Sequence, residues 1–270
     1  MKASTPTDSL IDEIWDCIRR EAEREAAHEP ILASHLHATV LNHDKFSDAL
    51  AYHLSNLLGS GTASALSLME VITDTHVAAP AIVESAAYDV AAIRDRDSAC
   101  NECGTPFLYY KGFHALQTHR VAHQLWRADR RELALFLQSI SSSCFSVDIH
   151  PAARIGRGIM FDHANGIVIG ETSEVGDNVS IMQSVTLGGT GKAGGDRHPK
   201  VGAGVLIGAG SKVLGNIRIG EGAKIGAGSV VLKDVPPHTI AAGVPAEIVG
   251  KLGDAAPALS MDQRLTPGKD

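Results

Sequence analysis

From Val201 onward the apolar residues fall at every sixth position: Val201, Ile207, Val213, Ile219, Ile225 and Val231. Glycine follows four of them directly, and upstream Ile169, Val175, Ile181 and Leu187 keep the same interval. Neither the helical nor the strand period gives a spacing of six. Hexapeptide repeats do, and they build parallel β-helices in which three repeats close one triangular coil. Residues eighteen apart are then predicted to stack: Val201 on Ile219, Ile207 on Ile225, Val213 on Val231. An aromatic content of only 4% suits so narrow an aliphatic prism.

The repeat breaks phase twice. Ile155 to Ile169 is fourteen residues rather than twelve, across Phe161-Asp162-His163-Ala164-Asn165-Gly166. Leu187 to Val201 is also fourteen, across a glycine-rich run containing Asp196, Arg197, His198 and Lys200. A polar excursion from a regular prism has no core to serve, and insertions in repeat proteins are often functional, so both breaks are candidate sites. A lone histidine is usually a surface residue. His163, however, follows Asp162, and Asp148 lies fifteen residues earlier, close to one coil. A carboxylate holding one imidazole nitrogen leaves the other free as a general base. Arg197 offers a fork for a carboxylate and cannot itself serve as a base. The GGTGKAGGDR stretch is no phosphate loop, since GxxxxGK[ST] is absent. Cys100-Asn-Glu-Cys103 lacks a second pair or a spaced histidine and reads as coincidence. His119 and His123 miss the HExxH pattern because residue 120 is Arg.

The first half has another grammar. Residues 1 to 147 hold only Gly59, Gly61, Gly104 and Gly112 of 27 glycines. Helical spacing begins with Leu10, Ile11, Ile14, Trp15 and Ile18, with Asp8 or Ser9 placed to cap, and a second helix starts at Pro30. Further helices are predicted over 46–58, 63–77, 80–93, 113–128 and 131–140, with an interrupted loop near 95–106. The expected fold class is segregated α+β: an all-α domain over 1–146, a β-helix over 147–253 and a flexible tail over 254–270. A net charge of −7 offers no basic field for nucleic acid or an anionic membrane. Four cysteines are too few for a disulfide scaffold and suit a reducing compartment. The N-terminus, MKASTPTDSLIDEIW, lacks the apolar core of a signal peptide, and no apolar run is long enough to span a bilayer. A cytoplasmic protein is expected.

The segments 105–120 (TPFLYYKGFHALQTHR), 147–166 (VDIHPAARIGRGIMFDHANG), 183–200 (QSVTLGGTGKAGGDRHPK) and 235–250 (VPPHTIAAGVPAEIVG) closely resemble the family of bacterial serine O-acetyltransferases. The resemblance implies a left-handed β-helix, assembled as a homo-oligomer, trimer or dimer of trimers, through its helical domains. It implies acetyl transfer from acetyl-CoA, a co-substrate rather than a bound cofactor, to the hydroxyl of L-serine, without a metal. It gives His163 the role of general base and Asp148 that of orienting it. Asp97 and Asp162 would bind the serine ammonium, and Arg197 and His198 its carboxylate and hydroxyl region. Ala209, Ala227 and Lys224 would line the acetyl-CoA groove. L-cysteine is expected to inhibit by occupying the serine pocket. A sulfhydrylase partner that grips a C-terminal isoleucine is not expected, because this sequence ends Lys269-Asp270. The rivals are a hexapeptide acetyltransferase with another acceptor (sugar, antibiotic or homoserine), a carbonic anhydrase of the same prism using His150, His163 and His198 on zinc, and a purely structural β-helix.

Overall fold

The computed structural model describes residues 6–191, 194–253 and 256–265. Helices α1 (Pro6–His28), α2 (Pro30–Leu36), α3 (Phe46–Leu58), α4 (Ala65–Ala78), α5 (Ala81–Arg96), α6 (Gly104–Tyr109), α7 (Lys111–Arg127) and α8 (Arg131–Phe145) come first, with a π-helical turn over His37–Leu41. The predicted helices are there, with shifted ends. Asp8 and Ser9 lie inside α1 rather than ahead of it. The Ser64 hydroxyl accepts the Ser67 N–H, so α4 starts at Ala65 rather than 63. The expected loop over 95–106 contains the start of α6, because the Glu21 carboxylate, distant in sequence, accepts the N–H groups of Cys103 (3.2 Å) and Gly104 (2.6 Å). No local pattern reveals such a cap.

A left-handed parallel β-helix follows. Its first face stacks β1 (Val147–Ile149), β4 (Ile167–Ile169), β7 (Thr186–Gly188), β10 (Lys212–Leu214) and β13 (Val230–Val231). The second stacks β2 (Arg154–Ile155), β5 (Glu174–Val175), β8 (Lys200–Val201) and β11 (Arg218–Ile219). The third stacks β3 (Met160–Asp162), β6 (Ser180–Met182), β9 (Leu206–Ile207), β12 (Lys224–Ile225) and β14 (Thr239–Gly243), and β15 (Ala246–Lys251) returns antiparallel beside β14. Val201 pairs with Ile219, Ile207 with Ile225 and Val213 with Val231, as the period requires. The phase breaks change the coil length. Val147 pairs with Ile167, a coil of twenty, and Val175 with Val201, a coil of twenty-six. The second excursion therefore replaces a single six-residue step, which leaves its loop longer than that of the first.

One apolar core runs from the helices into the prism. At the junction Asp89 is fully buried, and its Oδ2 accepts from Arg120 Nη2 (2.7 Å), Arg120 Nε (3.1 Å) and Gln117 Nε2 (3.0 Å), while Oδ1 accepts the Ile159 N–H (2.8 Å). Arg120 also donates to the Gly156 carbonyl at 2.7 Å, joining α5 and α7 to the first coil. Gly112 lets α7 approach closely, since a Cβ there would lie 2.4 Å from the Phe161 carbonyl oxygen. The expected flexible tail is partly docked. In helix α9 (Pro257–Ser260) the Ala258 carbonyl accepts the Ser180 hydroxyl at 3.0 Å, and the Arg264 carbonyl accepts from Lys224 Nζ at 3.0 Å. Residues 254, 255 and 266–270, which include the terminal Lys269 and Asp270, lie outside the described residues.

Candidate active site

The first excursion turns the corner from the third face to the first. Asp162 ends β3, and His163 and Ala164 adopt left-handed backbone (φ 54° and 60°), which swings the chain toward β4. The His163 side chain is 74% exposed, and its Nε2 lies 3.8 Å from Asp162 Oδ1. Asp97, at the C-terminal end of α5, approaches the same corner: burial first, and then the nearby Asp97 charge, raise the Asp162 carboxyl, while His163 opposes the shift. Asp97 is fixed by the Tyr110 hydroxyl at 3.0 Å and by the Ala99 N–H at 2.9 Å. Two neighbouring carboxylates, with Asp162 beside an exposed imidazole, make a seat for a small cation.

The structure gives Asp148 a different neighbour from the one expected. The first coil has twenty residues, so Asp148 in β1 stacks on Val168, five positions beyond His163. Its Oδ1 accepts from Gln138 Nε2 at 2.7 Å, and among the described residues no hydrogen bond joins it to His163.

The second excursion folds back on the opposite corner, between the first and second faces. Arg197 Nη2 donates to Glu171 Oε2 at 2.6 Å, and this bond holds the Glu171 carboxyl below its usual range. The backbone N–H groups of Arg197 and His198 donate to Thr172 Oγ1 at 3.0 and 3.1 Å. The Thr172 N–H donates to His198 Nδ1 at 3.2 Å, which leaves Nε2 as the protonated nitrogen of the neutral ring. Burial, then the Arg197 charge, lower the His198 pKa and favour that neutral form. The ring lies on Gly170, where a Cβ would come within 2.1 Å of Nε2 and Cδ2. His150 occupies the corresponding corner of the first coil, and burial lowers its pKa too.

The structure thus brings Asp97, Asp162 and His163 together, and separately Arg197 and His198. Strand β4 and its flanking turns separate the two groups within one chain, on the order of 15 Å at strand rise. His163 is correspondingly apart from His150 and His198, so one chain does not assemble the three-histidine zinc site of the carbonic anhydrase reading.

Down the corner that carries His163, register places Gln183 on the next coil, then Ala209 and Ala227. The Gly210 N–H donates to the Gln183 carbonyl and the Gly228 N–H to the Ala209 carbonyl. Side-chain bulk falls along this column, from Gln183 to Ala209 and Ala227. Lys224, on β12 beside it, is only 2% exposed, and burial lowers its pKa. Sequence reasoning missed Tyr110, Glu171, Thr172 and Gln183. Tyr110 and Gln183 lie in stretches that carry the family resemblance, but nothing in their spacing marks them. Glu171 and Thr172 become visible only once the coil length places them beneath the second excursion.

Two family descriptions match the chain: "Serine acetyltransferase, N-terminal" over residues 14–118, and "Bacterial transferase hexapeptide (six repeats)" over residues 198–233. The serine acetyltransferase of Salmonella typhimurium is 57% identical over 252 residues, covering 93% of this chain and 92% of that protein. The crystal structure of serine acetyltransferase from Vibrio cholerae superposes with a TM-score of 0.93 at 56% identity, covering 94% of this chain and 98% of the other. A serine acetyltransferase in complex with cysteine superposes with a TM-score of 0.92 at 54% identity, covering 93% and 98%.

Proposed function

This chain belongs to the serine acetyltransferase family, and on that premise we propose how its own residues carry out the reaction. It is an acyltransferase that moves acetyl from acetyl-CoA to the hydroxyl of L-serine, giving O-acetyl-L-serine and CoA on the way from serine to L-cysteine. One observation carries the assignment of residues: a carboxylate pair beside an exposed imidazole on one corner of the prism, and an arginine–histidine pair on the other. The first suits an α-ammonium and a hydroxyl to be deprotonated, and the second suits an α-carboxylate.

An amino acid a few ångströms long does not span one face of the prism. We therefore place the site between two protomers of a homotrimer, with Asp97, Asp162 and His163 from one and Arg197 and His198 from the next. Residues 1–146 serve assembly, including the pairing of trimers, and residues 147–253 form the transferase unit. His163 takes the proton from the serine hydroxyl as its oxygen attacks the thioester carbonyl. The tetrahedral intermediate then expels the CoA thiolate, which receives that proton from the imidazolium. No covalent enzyme intermediate forms. The donor arm lies along Ala227, Ala209 and Gln183, with Lys224 at its side. L-cysteine, which carries the same ammonium and carboxylate, competes with serine for both half-sites. The four free cysteines and the acetyl-CoA requirement support a cytoplasmic setting; among the described residues no single helix is long and apolar enough to cross a membrane.

Asp148 and Asp162 compete for the role of orienting His163, and kinetics separate them. An orienting carboxylate changed to Asn lowers kcat at unchanged serine KM, whereas an ammonium ligand changed to Asn raises KM. Asp148 is assigned the first behaviour and Asp162 the second. The primary test is CoA thiol release with and without L-serine. Serine-dependent release that His163→Ala abolishes supports the reading; release that survives reassigns the base.

A further inference from the structure

We propose that Cys17, Glu21 and Cys103 form a binding site for one thiophilic divalent cation of the zinc type, a clip that ties α1 to the segment leading into α6. Among the described residues this is the group of His, Cys, Asp and Glu side chains whose donor atoms converge, all within 4.8 Å of one another. Cys17 and Glu21 stand four apart on α1 and so share one helix face. Cys103, far along the chain, comes to that face from the residue just ahead of α6.

The spacing fits a tetrahedral ion. Zinc with two thiolates and a carboxylate oxygen has edges of ~3.8 Å between sulfurs and ~3.6 Å from sulfur to oxygen. Cys17 Sγ lies 3.2 Å from Glu21 Oε1, so the donors need to part by only a few tenths of an ångström. Glu21 is already aimed: it is buried, and the backbone N–H groups of Cys103 and Gly104 fix its carboxylate, as outer-shell donors fix metal ligands. Charge also balances. Two thiolates, one carboxylate and a dication leave a single negative charge, and Arg94 Nη1 stands 3.6 Å from Cys103 Sγ to meet it. On binding, each thiol loses its proton to solvent and a sulfur–metal bond replaces it. Cys17 is half-buried, which leaves one side of the group open to solvent.

The pair conspicuous in sequence, Cys100 and Cys103, is not the chelate. Cys100 Sγ donates instead to the Glu102 carbonyl at 3.3 Å. A Cys17–Cys103 disulfide would use only two of the three converging groups and leave Glu21 Oε1, 3.2 Å from Cys17 Sγ, outside the linkage. The clip is structural and takes no part in acetyl transfer.

The test uses the full-length chain, reduced with a phosphine, stripped with a chelator and titrated with Co²⁺. The expected result is one Co²⁺ per chain, with thiolate-to-cobalt charge-transfer absorption and the visible bands of a tetrahedral ion, both erased by Zn²⁺. Cys17→Ser and Cys103→Ser should each remove about half or more of the charge-transfer intensity, and Glu21→Gln should weaken binding about tenfold or more. Cys144→Ser, at an exposed cysteine, should change nothing. Circular dichroism confirms that each variant is folded, and Cys17→Ser, on the half-exposed side, carries the test if Cys103→Ser unfolds. Absence of thiolate absorption in the wild type overturns the site, as does charge-transfer intensity that Cys17→Ser leaves at its wild-type level. Isolation of a Cys17–Cys103 disulfide, with no cobalt absorption after reduction, reassigns the pair to redox chemistry and also overturns it.

Discussion

If each active site combines the His163 corner of one protomer with the Arg197 corner of the next, two inactive variants should rescue each other. His163→Ala removes the general base, a loss of ~10²- to 10⁴-fold in rate. Arg197→Ala removes a charge-assisted contact of ~1.5–3 kcal/mol, or about tenfold to a hundredfold in kcat/KM for serine. In a mixed trimer built from both variants, each interface joins one protomer's His163 side to its neighbour's Arg197 side. Going once around the ring, whichever variant is present twice, a single interface pairs an intact His163 with an intact Arg197. About one third of the sites are then wild type. The assay is CoA release at subsaturating serine, using differently tagged chains co-expressed and purified over both tags. Activity near a third of wild type, far above either parent, is expected. If both groups served one site within a single chain, every site would carry a lesion, and the hybrid would show only the average of its parents. That result, in trimers shown to contain both chains, would refute the interface reading.

Other consequences are local. Gly170→Ala puts a Cβ onto the His198 ring, which must leave its Thr172 contacts; serine KM should rise about tenfold, with stability changed by no more than ~1–3 kcal/mol, and unaltered KM would remove His198 from serine recognition. Asp89→Ala strands the buried Arg120 charge and should cost ~3–5 kcal/mol in denaturant unfolding, part of which Arg120→Met in the same chain restores. Burial lowers His53 to about 3 and His76 and His114 to about 4, against ~6.5 unfolded, so the unfolded chain binds more protons through that window. The stability these neutral rings contribute is complete above pH ~6.5 and lost as pH falls toward about 4, each adding ~1.4 kcal/mol per pH unit inside the window. Unfolding followed against pH should show this slope, and His76→Gln should reduce it by about one proton.

The hexapeptide period determined the coils by itself. Inward aliphatics at six-residue spacing have one way to be buried together, so Val201 on Ile219 and its companions follow from the sequence alone. The helices were legible for a similar local reason, an apolar face at helical spacing. Tertiary structure decided what depends on contacts across the chain. The cap that Glu21 gives α6, the approach of Cys17 to Cys103, and the Tyr110 bond to Asp97 join residues that no local pattern relates. The same holds for the neighbours of the candidate site. Asp148 and His163, fifteen apart in sequence, suggest a coil partnership, but only the structure shows that this coil is twenty residues long and that Gln138 donates to Asp148 Oδ1. Residue types fixed which chemistry the chain can carry. The length of each coil fixed which corner each group occupies, because added residues loop out at one corner while the later coils keep their register on the prism.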